Sequence, residues 1–94
     1  NVSMDLYVMI RPRGGDFVYN NYDFYAMKRD IDQCMKLSAD GVVFGILTPE
    51  ARMDVKRCRE LIQRARPMKV TCHRAFDVTR DAFEALDDCI EAGF

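Results

Sequence analysis

Three times in 94 residues an apolar run is followed by a polar loop and then by a stretch with helical periodicity. The runs are Leu6 to Ile10, Val42 to Leu47 and Val70 to His73. The first two are uninterrupted and rich in strand formers, which suits strands buried on both faces, as parallel sheets require. After the first, a helix is expected from Asn20 or Asn21, both good caps. Phe24, Met27, Ile31, Cys34 and Met35 recur on one side of it, and it ends near Leu37. Asp54 is placed to cap a second helix with the stripe Val55, Cys58, Leu61, Ile62 and Ala65, stopped by Pro67. Thr79 is expected to cap a third, with Phe83, Leu86 and Ile90 on its core face and Gly93 at its end.

Strands alternating with amphipathic helices imply right-handed crossovers and a parallel sheet, either open and doubly wound or closed into a barrel. Both architectures put ligands on the same rim. The loops after Ile10, Leu47 and His73 all emerge there, whereas the short loops after Leu37 and Ala65 lie on the opposite, structural rim.

Composition excludes several classes. A formal net charge of -1 leaves no basic field for a nucleic acid or an anionic membrane. No apolar stretch approaches the roughly 20 residues of a membrane helix. The start, NVSMDLY, has neither a basic leader nor an initiator methionine, so the chain reads as part of something longer. Cys34, Cys58, Cys72 and Cys89 form no CxxC pair and are expected to be reduced core thiols.

Two strand ends concentrate polar chemistry: RPRGGD at residues 11–16 and HRAFD at residues 73–77. Arg11 and Arg13 project to the same side if the chain stays extended through Pro12, and each presents a fork suited to carboxylate or phosphate. Gly14 and Gly15 permit close approach of backbone donors to an anion. Asp16 is placed to accept a hydroxyl or to pin an arginine; the plainer reading is a braced turn. His73, the sole histidine, sits at a strand end with Arg74 beside it and Asp77 four positions later, which suits a general acid or base with Asp16 or Asp77 as its orienting carboxylate. The stretch lacks the spacing of the known phosphate loops. With neighbouring strands roughly 4.8 Å apart, the two motifs should stand about 10 Å apart on one rim.

Metal readings are weaker. Cys72 adjoins His73, yet adjacent strand residues point to opposite faces, so Cys72 is a poor candidate for an ion shared with that histidine. Met9, Met27 and Met35 are expected in core stripes rather than in a copper array.

VMIRPRGGDF at residues 8–17 and PMKVTCHRAFD at residues 67–77 resemble the CutC family of copper homeostasis proteins. YNNYDFYAMKRDI, ADGVVFGILT and the Met53-Asp54 helix start support the resemblance, which runs over the whole chain. It implies a (β/α)8 TIM barrel, typically about 250 residues long. Residues 1–94 would form a single partial barrel domain, namely its third, fourth and fifth units. Sheet edges and helix faces meant for absent neighbours would then leave the chain prone to self-association. Ser38, Ala51 and Cys72 depart from the family's usual glycine, glycine and phenylalanine. The resemblance further implies a cytoplasmic protein, in animals also nuclear, that binds copper(I). The residues themselves suggest an alternative: a barrel enzyme acting on a phosphorylated or carboxylated small molecule, with Arg11, Arg13, Gly14, Gly15 and Arg74 holding the anion and a catalytic group of His73 as general acid or base with Asp16 or Asp77 orienting it. Copper(I) prefers sulfur, and this rim offers arginine, histidine and aspartate.

Overall fold

The computed structural model describes residues 6–94, without the side chains of Arg74 and Asp77. Strand β1 is Tyr7–Met9, helix α1 Asn21–Lys36, β2 Gly41–Phe44, α2 Val55–Ala65, β3 Lys69–Cys72 and α3 Ala82–Ala92, with a 3-10 turn at Arg74–Val78 before α3. The three strands form one parallel sheet in the order β1-β2-β3. Met9 is level with Val43, and Val43 with Thr71.

Burial distinguishes the two architectures that the strand and helix alternation leaves open. Val42 and Phe44 on β2 are fully buried, together with Met27 and Ile31 of α1 and Cys58, Leu61 and Ala65 of α2. The opposite face carries Tyr7, Met9, Lys69 and Thr71, all exposed. Helices therefore cover one face only, and the strand order shows no reversal, so the unit is an arc of a barrel wall.

The helix starts follow from their caps. The Asn20 side chain accepts from Asp23 N–H at 2.8 Å while the Asp23 carboxylate accepts from Asn20 N–H at 3.3 Å, a reciprocal capping box. The Asp54 carboxylate accepts from Arg57 N–H at 3.1 Å. The third cap differs from expectation. RAFDV winds into the 3-10 turn, whose end is Thr79, its hydroxyl donating to Phe76 O at 2.8 Å. Asp81 caps α3 instead, accepting from Phe83 and Glu84 N–H.

Three burial expectations also change. On α3 the core face is Ala85, Asp88, Cys89 and Ala92, while Phe83, Leu86 and Ile90 are 85%, 51% and 66% exposed. Small residues let α3 lie close to α2, and the large stripe points away. β1 is an edge strand rather than one buried on both faces, with Leu6, Tyr7 and Met9 exposed; Met35 on α1 is exposed too. Only Met27 among the three expected core methionines is buried. Asp88, at 2% exposure, is held bidentately by Arg52 at 2.9 and 3.1 Å, which ties the loop after β2 to α3.

Ser38 and Ala51 have φ of 59° and 62°. Both lie in the left-handed region, where a Cβ is strained and glycine is not. Ser38→Gly and Ala51→Gly are each expected to raise stability by about 0.5–1 kcal/mol, the strain relieved less the added freedom of the unfolded chain. Urea unfolding of the single variants checks this, and a loss of stability in both would refute the strain.

Candidate functional site

The rim beyond the sheet is built by residues that continue the inward-facing alternation. Two positions beyond Met9, Val43 and Thr71 stand Arg11, Gly45 and His73. Ile10 N–H donates to Val43 O at 2.8 Å, so the pairing holds to the foot of the RPRGGD loop.

That loop turns back on itself instead of running extended through Pro12. Arg13 is committed locally: its guanidinium bonds Asp16 at 3.0 Å, Asp23 at 3.0 Å and the carbonyls of Gly14 and Val18, and lies over the Tyr19 ring. The hydrogen bond from Arg13 and that from Val18 N–H hold the Asp16 carboxyl below its ordinary range. Asp16 thus pins an arginine, and the arginine is Arg13. Gly14 and Gly15 are exposed, with Gly15 at φ 93°. The Arg11 guanidinium donates to Gly15 O at 2.8 Å and Arg13 O at 3.1 Å and sits 4.6 Å over the Phe17 ring. Among the described residues Arg11 forms no ion pair.

His73 lies against the same Phe17 ring, centroids 4.9 Å apart. Its Nδ1 accepts from Ala75 N–H at 3.1 Å, capping the 3-10 turn. The proton of the neutral ring is therefore on Nε2, which is buried and has no partner among the described residues. Desolvation first, and then the charge of Arg11, lowers the His73 pKa, so the neutral form prevails at pH 7. Among the described residues the Tyr19 hydroxyl is a second buried polar atom without a well-formed hydrogen bond, although the Arg11 guanidinium comes within reach of it. Burial raises its pKa and the approach of Arg11 opposes that rise. Arg11 thus stands near both groups.

Two members of this site carry no conspicuous motif. Phe17 is the platform for both Arg11 and His73. Gly45 makes room for the imidazole: a Cβ there would lie 3.2 Å from His73 Nδ1 and Cε1 and 2.9 Å from the Ala75 Cβ. A glycine inside an apolar strand run is the available signal for such close approach. Arg74 and Asp77, expected to bind anion and to orient His73, lie outside the described side chains. Cys72 faces the helices, as alternation requires, and its thiol donates weakly to His73 O at 3.6 Å. Beside the rim, a cavity of about 350 Å³ opens between the loops, lined by Gly15, Phe17, Leu47, Thr48 and Val78 among others.

Comparison with known proteins decides the family. The CutC family model matches residues 1–94. The chain belongs to the CutC family. A CutC family protein of Parabacteroides distasonis is 52% identical over 90 residues, 96% of this chain and 37% of that protein. A mouse relative named a copper homeostasis protein cutC homolog is 44% identical over 94 residues, all of this chain and 35% of that one. The crystal structure of a CutC protein from Streptococcus agalactiae superimposes with a TM-score of 0.90 at 35% identity, covering 97% of this chain and 44% of the other. The chain thus spans a little over a third of the length of these curated relatives. Its fold is a part of the CutC TIM barrel.

Gly45→Ala is expected to push the imidazole off its seat, at a stability cost of about 1–3 kcal/mol for overpacking. The His73 ring resonances in an NMR spectrum should move with it. Unchanged resonances and unchanged stability would show that the ring does not depend on this glycine.

Proposed function

We propose that the protein carrying this chain serves copper homeostasis by handling copper(I), and that the rim holds a small anionic ligand rather than the metal. The copper part is supported by membership of the CutC family and by the printed name of the mouse relative. Copper(I) selects thiolate sulfur. Among the described residues no group of three His, Cys, Asp or Glu is placed to hold a metal ion, so any copper(I) bound here is held by few ligands. Replacing Cys34, Cys58, Cys72 and Cys89 together by serine is expected to weaken copper(I) binding at least about 100-fold, near 2.7 kcal/mol, in competition with a chromophoric chelator. Unchanged affinity sinks the copper part. Among the described residues no helix is long and apolar enough to cross a membrane, which is compatible with the cytosolic location we assign.

The anion part rests on one observation: among the described residues the His73 Nε2 proton is buried without a partner and the Tyr19 hydroxyl without a well-formed hydrogen bond, beside an arginine that has no counter-ion. A buried donor left unpaired costs about 1–3 kcal/mol, which a bound acceptor recovers. His73 favours this reading over metal ligation. To ligate through Nε2 it would need its proton on Nδ1, where Ala75 N–H already donates. A phosphate or carboxylate would accept from Arg11, His73 and Tyr19 together, with the rim cavity taking the rest of the molecule. In an enzyme of this design Arg11 clamps the anion and neutral His73 donates a hydrogen bond from Nε2 to the charge that develops on the ligand.

Tyr19→Phe and His73→Ala are each expected to weaken inorganic phosphate binding by about tenfold, or 1.4 kcal/mol; Tyr19→Phe should leave the unliganded melting temperature little changed, whereas His73→Ala also removes the cap of the 3-10 turn and lowers it. Thermal shift against phosphate concentration reads both. Full phosphate stabilisation in both variants would leave RPRGGD as a self-braced turn.

A further inference from the structure

The cavity of about 350 Å³ beside the rim is enclosed by the loops that follow all three strands, and backbone hydrogen bonds join those loops to one another. The stretch after β2 is a narrow hairpin, in which Thr48 N–H donates to Arg52 O at 2.7 Å and Leu47 bridges Met53. On one side Leu47 N–H donates to Phe17 O at 2.9 Å, in the loop after β1. On the other Arg80 N–H, just past the 3-10 turn, donates to Ala51 O at 2.9 Å. Arg52, gripping the buried Asp88, anchors the same hairpin to α3.

The walls of this cavity are mostly apolar: Phe17, Leu47, Pro49, Ala51 and Val78 line it. Its two polar side chains are already engaged. The Asp16 carboxylate accepts from Arg13 at 3.0 Å and from Val18 N–H at 3.1 Å, and the Thr48 hydroxyl accepts from Arg52 N–H. The charged end is next door. Arg11 Nη2 donates at 2.8 Å to the carbonyl of Gly15, itself a wall residue, and the guanidinium lies 4.6 Å over the ring of Phe17. The His73 ring packs on that same ring at 4.9 Å. Phe17 and Gly15 thus stand between the anion-binding groups and an apolar chamber.

We propose that the ligand of the rim is a small aryl anion, one phosphate or carboxylate held by Arg11, His73 and Tyr19 with an unhydroxylated aromatic body seated in this cavity. This rests on the anion reading above and adds the class of molecule that carries the anion. At about 30 Å³ for each non-hydrogen atom the chamber takes roughly a dozen of them, the size of one substituted ring. A ring can pack against Phe17 at the junction and has few torsions to immobilise. Sugar phosphates fit poorly, because hydroxyls brought against these walls leave water without gaining partners. The Asp16 carboxylate at the edge disfavours a second negative group on the body.

Isothermal titration of the intact protein that carries this chain with inorganic phosphate, glycerol phosphate and phenyl phosphate tests the assignment. Phenyl phosphate is expected to bind at least about tenfold more tightly than either of the others. A smaller margin overturns the aromatic body and leaves the anion site in place, whereas a native protein that binds none of the three overturns both. Val78, 56% exposed at the lip of the cavity, tests the location. Val78→Asn is expected to remove most of the phenyl phosphate advantage while binding inorganic phosphate as the native protein does. An undiminished advantage in that variant overturns the cavity as the seat of the ring. Should Val78→Asn lose inorganic phosphate binding as well, the ranking of the three probes on the native protein decides alone.

Discussion

Parallel register across β2 is the constraint on which the rim depends. The central strand is hydrogen-bonded on both edges, and its outward residues Val42 and Phe44 are sealed beneath the helices. Their burial, worth about 1.5–3 kcal/mol for each side chain, holds the sheet to one face. A slip of one residue in β1 or β3 would turn Arg11 or His73 toward the helices and bring a thiol or an aliphatic chain to the mouth. Gly45 belongs to the same register, since only there does the neighbouring backbone pass under the imidazole.

The polar loop after β1 divides its charges by distance from the sheet. Arg13 is consumed by two carboxylates and two carbonyls, so it sets the shape of the loop and the start of α1 through Asp23. Arg11 uses only part of its fork on the carbonyls of Arg13 and Gly15. One arginine builds and the other remains available, a division that the identical residue type conceals. Phe17 then carries Arg11 and His73 on one ring, which lets a cation approach an imidazole while burial keeps that imidazole neutral.

The sheet also separates two chemistries. Nitrogen and oxygen donors lie on the inward face and at the rim, and the thiols lie on the helix side. Alternation along β3 alone produces this, for Cys72 and His73 are neighbours in sequence and point apart. The uncovered surfaces follow from the same geometry. A barrel wall buries its helix layer locally but leaves its inner face and its flanks to further units. Large apolar residues are correspondingly exposed on α3 at Phe83, Leu86 and Ile90, and on β1 at Leu6 and Met9. A cavity of about 250 Å³ between β1 and α1, lined by Val8, Ile10, Cys34 and Leu37 among others, belongs to that flank.

Some of this was present in the order of the residues. The continuous apolar runs, the caps Asn20 and Asp54 and the glycine after α3 determined three strands and three helices in alternation, because those signals act over a few residues. The crowding of polar groups at the first and third strand ends located the rim, and the alternation of side chains placed Cys72 behind it. The RPRGGD and HRAFD stretches carried the family. Tertiary structure decided the rest, where the controlling contact joins distant parts of the chain. The outward stripe of α3 looked like a core stripe because periodicity reports that a face is apolar, not which partner covers it. Asp81 displaced Thr79 as cap because the preceding residues wound into a 3-10 turn around His73. The choice of Arg13 over Arg11 as partner of Asp16 is made within the loop once it turns back on itself, whereas the seat of His73 over Gly45 arises from packing between segments, and no local rule in the sequence encodes which of several similar side chains will be within reach.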